Sequence, residues 1–99
     1  MAQLTIIFWR DIPAQVIAKA GRISAKRELG GRFQEAIDRA AMKSGARDED
    51  AYLAAWRRSD PVDCGADLDA AADVAVLRLD RAYDETRLAA LVAANGQAG

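Results

Sequence analysis

Apolar and polar side chains alternate along residues 3–9, QLTIIFW, at the spacing of a strand. Leu4, Ile6 and Phe8 point to one side, and Thr5, Ile7 and Trp9 to the other. Both sides carry apolar groups, so the pattern predicts at least partial cover on both faces. A second alternating run, over about 14–20, follows the connection RDIPA and ends at Gly21. Pro13 fixes its own φ and moves Ile12 away from the helical region. The two runs therefore predict an antiparallel hairpin around a short polar turn. An isolated hairpin is not stable in water, so later elements must pack on it. RISAKREL, from Arg22 onward, fits either a prolonged second strand or the start of a helix, and Gly30–Gly31 interrupts it.

The period then changes from two to about 3.6. Phe33, Ile37 and Ala40/Ala41 form one stripe of a helix over about 32–43, which Leu29 extends backwards and Ser44–Gly45 ends. A second helix is predicted over about 48–58, with Asp48 as cap, Glu49 and Asp50 in its first turn, and Tyr52 and Trp56 at i, i+4. Pro61 stops it. Asp67 caps a third helix over about 67–83, with Leu68, Ala72, Val76, Leu79 and Tyr83 in phase. A strand at 74–79 is the competing reading. Asp84 starts a last helix over about 84–94, closed by Asn95–Gly96 and followed by a frayed tail. The fold class is α+β: an N-terminal antiparallel hairpin packed against three to four helices, in one domain with its core at about 3–94.

Composition narrows the chemistry. The chain has 99 residues, of which 52% are apolar, much of that alanine. Leu, Ile, Val and Phe together are only about a fifth, so helices must approach closely or a partner chain must complete the core. No histidine is present and Cys64 is the single cysteine. An ordinary zinc site is thereby excluded, and so are the usual partners of a catalytic Ser or Cys. A lone thiol fits a reducing compartment. Neither a signal peptide nor a membrane-length apolar run is visible, so the expected location is cytoplasmic. The net charge is −1, but residues 10–47 hold nine basic and four acidic groups, and residues 48–99 hold five basic and eleven acidic. Either the basic half meets an anionic ligand or partner, or the two halves complement each other in the fold or across a dimer.

Three groups of residues could form a site. Trp9, Arg10 and Asp11, beside Pro13, could present a stacking surface and an anion contact at the hairpin turn; the alternative is core packing and a solvated ion pair. Arg22, Lys26, Arg27 and Arg32 flank Gly30–Gly31 ahead of a helix, a generic anion signal that matches neither phosphate-loop fingerprint. Tyr52 and Trp56 with Arg57 and Arg58 suit either the core or an interface. The carboxylates at 48–50 and at Asp60, Asp63, Asp67, Asp69 and Asp73 lack calcium-loop spacing and are expected to be caps and a solvated face. Cys64 follows Asp63, which disfavours a reactive thiolate. The acidic balance and the missing motifs count against nucleic-acid binding.

IIFWRDIPAQVIAKAG, continued by RFQEAIDRAAMKSGARDEDAYLAAWRR, resembles a small bacterial family labelled virulence factor, which is similar to the C-terminal part of larger conserved virulence factor proteins. The resemblance spans about residues 4–94 and rests on the Trp-Arg-Asp-Ile-Pro turn, the F-x-x-A-I-D helix and the Tyr-Leu-x-x-Trp helix. It implies an accessory protein of the kind encoded beside folate- and corrinoid-dependent methyl-transfer enzymes, and it carries no catalytic residues with it. The expected function is a non-catalytic accessory or interaction module with no cofactor and with a protein partner or a homodimer. Its surface is expected at Trp9, Arg10, Asp11 and Arg22–Arg32. The alternative is a small protein that binds an anionic ligand of folate or phosphate type and assists methyl transfer.

Overall fold

The computed structural model describes residues 2–45 and 49–97. The strands are β1 (Gln3–Trp9), β2 (Ile12–Ala20), β3 (Ile23–Glu28), β4 (Trp56–Arg58) and β5 (Val62–Asp63). The helices are α1 (Gly31–Ser44), α2 (Glu49–Ala54), α3 (Leu68–Ala82) and α4 (Glu85–Ala93). All strand pairs are antiparallel, in the order β3-β2-β1-β4, with β5 also on β1. α3 lies on β2 and β3, while α1 packs on β2 and on α4.

The expected hairpin is present with a tighter turn. Trp9 pairs with Ile12, leaving only Arg10 and Asp11 in the loop. Ile12 and Pro13 belong to β2 and are buried. Pro13 stands opposite Phe8 where the register slips by one residue, a place where a missing N–H is tolerated. The slip changes which side chains face inward. Leu4 and Ile6 pack on the core, Ile7 and Phe8 do not, and Trp9 is fully buried. The strict alternation over 3–9 therefore fails at its last two positions.

RISAKREL resolves as neither expected alternative. Gly21 and Arg22 turn the chain, and residues 23–28 form a third strand at the sheet edge. The segment 48–58 is also split. Its helix ends at Ala54, and Trp56–Arg58 pair with β1. A six-residue helix has little stability of its own, and the open edge of β1 offers three residues a backbone ladder instead. The proposed cap Asp48 lies outside the described residues.

The last two helices form as the sequence pattern predicts. Asp67 accepts the N–H of Ala70, and Asp84 that of Arg87. Residues 74–79 lie in α3, so the strand alternative is overturned: this stretch buries Ala75 and Leu79 at helical spacing. Residues 95–97 of the expected tail turn back toward the hairpin. Gly96 accepts a hydrogen bond from the Asp11 N–H at 2.8 Å and is buried against the Trp9 ring. Residues 98–99 of the expected tail lie outside the described residues. No helix of the described residues is long and apolar enough to cross a membrane.

Two substitutions test these local causes. Gly96 has φ +85°, and a Cβ there would stand 3.0 Å from Trp9 Cζ3. Gly96→Ala is expected to lose at least about 1–2 kcal/mol in denaturant unfolding, while Gly31→Ala, into open space, stays near neutral. Asp67→Ala removes a cap worth about 1 kcal/mol, and a thermal melt should fall by about 4–8 °C.

Candidate functional site

The hairpin turn that the sequence offers as a displayed surface is occupied by the protein itself. Trp9 is 0% exposed. Its Nε1 donates to the Tyr52 carbonyl at 3.0 Å, and the Tyr52 ring packs beside it. The indole is therefore a core group and offers no face to a ligand. Arg10 holds a left-handed backbone at φ 54°, a conformation that costs a non-glycine residue about 1–2 kcal/mol. Contacts from distant segments offset that cost. The Arg10 N–H donates to the Ala55 carbonyl at 2.9 Å and its guanidinium to the Asn95 carbonyl at 2.6 Å. Arg57 closes the group, donating to the Arg10 carbonyl at 2.7 Å and to Asp11 Oδ1 at 2.8 Å. Pro13 is buried in β2.

The basic segment is dispersed rather than gathered. Arg22 sits exposed in the β2–β3 turn, at the far end of β3 from Gly30. Arg27 faces α3 and bridges Asp69 at 2.8 Å and Asp73 at 3.0 Å. The hydrogen bonds it donates to those two carboxylates, Asp69 first, raise its already high pKa, so it stays charged throughout the physiological range. Arg32 pairs with Asp80 at 2.8 Å and also donates to the Asp80 and Tyr83 carbonyls at the C-terminal end of α3, where a cation is favoured. Lys43 serves α4 in the same way through the Ala93 carbonyl. Part of the charge split of the sequence is thus an internal complementarity. Arg27–Asp69, Arg27–Asp73 and Arg32–Asp80 join cations of the basic half to carboxylates of the acidic half, and Arg57–Asp11 joins the halves with the charges reversed.

Lys26 has a different fate. Strand alternation turns it away from Arg27, onto the face opposite the helices. There it meets Trp56, Arg57 and Arg58, from the third sequence group. Together with Ile7, Gln15 and Ile17 they line an open depression of about 440 Å³, and every lining residue belongs to a strand. Trp56 is half-buried, with its ring edge-on to Tyr52 at 5.9 Å, so this pair divides between core and surface. Arg57 also lies over the Phe8 ring at 4.5 Å. Among the described residues no carboxylate forms an ion pair with Lys26 or Arg58. Ile7 and Ile17 were not singled out in the sequence, because their place depends on the pairing of β1 with β2.

The chemistry available here is binding. A half-exposed indole, two branched aliphatic side chains and three cations can hold an anionic or acidic apolar group. No carboxylate, hydroxyl or thiol lines the depression. Among the described residues no group of His, Cys, Asp or Glu could hold a metal ion, and the acidic residues that are described act as caps, ion pairs and surface.

Lys26 and Arg27, adjacent in sequence, should respond oppositely to substitution. Lys26→Glu should leave unfolding free energy within about 0.5 kcal/mol of the parent, as for a surface position. Arg27→Ala should lower the thermal midpoint by freeing α3 from β3. Equal effects in the two melts contradict the assignment of faces.

No curated protein and no solved structure matches the chain. The family model described as virulence factor matches residues 7–92, which takes in the end of β1, the hairpin turn, β2 to β5, α1 to α3 and all but the last residue of α4. The chain therefore belongs to the virulence factor family.

Proposed function

We propose that this protein is a non-catalytic accessory module that docks a protein partner on the open face of its sheet. One observation carries the reading: four strands bring Ile7, Ile17 and Trp56 together with Lys26, Arg57 and Arg58 on a surface built from strand residues alone. A half-exposed tryptophan beside arginines is the composition of an interface hot spot. The absence of histidine from the sequence supports a binding role over catalysis. The setting we favour is folate- and corrinoid-dependent one-carbon metabolism in the cytoplasm, on the family resemblance and on the single cysteine.

A second reading uses the same depression for a small anionic ligand of folate or phosphate type. The Trp56 indole supplies a flat face, and Lys26, Arg57 and Arg58 supply the charge.

Capture from native lysate with the tagged protein, read by mass spectrometry, separates the two. A specific protein held by the parent and lost with Lys26→Glu/Arg58→Glu supports docking, and a methyltransferase or corrinoid protein supports the setting. Identical capture by both chains contradicts it. Quenching of tryptophan emission by a folate or a nucleotide, with no protein captured, favours the small ligand.

A further inference from the structure

The register of the sheet says what kind of partner segment fits the open face. Lys26 stands directly opposite Ile17, and Arg58 directly opposite Ile7. Ile7 pairs with Gln15 and Ile17 with Thr5, so the two isoleucines are diagonal neighbours on one face. The four residues form a row across the sheet: Lys26 on β3, Ile17 on β2, Ile7 on β1 and Arg58 on β4. Three strand spacings separate its ends, about 14 Å between backbones. Trp56 stands two residues from Arg58 on the same strand and closes one side of the row. A cation at each end and apolar groups in the middle form a spaced pattern rather than a general positive charge.

We infer that the open face binds an acidic amphipathic helix. The inference rests on the docking reading above and specifies its partner. A helix rises about 1.5 Å per residue, so carboxylates at i and i+7 lie about 10 Å apart, within side-chain reach of Lys26 and Arg58. Apolar residues at i+3 and i+4 fall on the same face, between them, over Ile17 and Ile7. Single-stranded nucleic acid fits less well. It needs a succession of ring faces, and this surface offers the Trp56 indole alone: the Phe8 ring is already covered by Arg57, and the centre of the row is aliphatic. Glu28, opposite Gln15 on the same face, adds a carboxylate at the β3 edge that repels phosphate and carboxylate alike and so does not decide between them.

The test uses synthetic helical peptides of about 18 residues, long enough to hold a helix. One carries Glu at i and i+7 with Leu at i+3 and i+4, and a matched peptide carries Lys at the two outer positions. A thymidine oligonucleotide is the third probe. Each is titrated to millimolar concentration against the ¹⁵N-labelled full chain. The expected result is binding of the Glu peptide, with shifts at Ile7, Ile17, Lys26, Arg58 and the Trp56 indole N–H. Affinity for the Lys peptide should be at least about tenfold weaker. In Lys26→Glu/Arg58→Glu the preference should reverse. Equal binding of both peptides, no binding of the Glu peptide, or tighter binding of the oligonucleotide each overturns the inference. If the lysate partner is still lost in the double variant while the Glu peptide fails, the docking reading stands and only the acidic helix falls.

Discussion

The burial of Trp9 is the constraint on which the rest of this protein depends. The indole sits at the end of β1, where the second residue of a two-residue turn and the C-terminal end of α4 meet. Its Nε1 is satisfied by the Tyr52 carbonyl, and Gly96 lies so near its ring that an added Cβ would stand 3.0 Å from Cζ3. Burying a tryptophan is worth up to about 5 kcal/mol, a large share of the stability of a small domain. Two of the hydrogen bonds around it, Arg10 to Asn95 and Asp11 to Gly96, span 85 residues, and a third, Arg57 to Arg10, spans 47. They tie the hairpin to the middle and to the end of the chain at one point. The left-handed Arg10 backbone is held there by these contacts.

The one-residue slip between Ile7 and Phe8 brings Trp9 inward. It also leaves Phe8 outside the core cluster, beside Ile7, which regular alternation already turns to the face opposite the helices. Core and candidate site thus lie on one strand pair. The slip completes the core with Trp9, and the regular register before it places Ile7 and Ile17 on the other face, bordered by cations from β3 and β4. Arg57 joins the two regions, lying over Phe8 and holding Asp11.

Legibility in the sequence followed the range of the interactions. The strand at 3–9, the first helix and the caps Asp67 and Asp84 depend on neighbours a few residues away, and local pattern was enough to find them. Residues 56–58 continue a helical pattern, with Tyr52 and Trp56 four apart, and become a strand only because β1 has an unpaired edge 47 residues earlier in the chain. The candidate site was half legible. Lys26, Trp56, Arg57 and Arg58 were among the residues the sequence marked, but Lys26 stood in a different group from the other three. Trp9, Arg27 and Arg32 were marked with them and proved to be internal, because an arginine bound to a helix end or to two carboxylates looks in sequence like any other. Lys26 and Arg27 could be assigned to opposite faces only once residues 23–28 were known to be a strand.

Acrylamide quenching of tryptophan emission tests the central claim most directly, because the protein has two tryptophans with opposite environments. In the parent chain the emission should divide into an accessible part, from Trp56, and a protected part, from Trp9. In Trp56→Phe the remaining emission should be protected from quencher under native conditions and become accessible only on unfolding. Free quenching of native Trp56→Phe would place Trp9 at the surface and contradict both the hub at the hairpin turn and the division of the sheet into a covered and an open face.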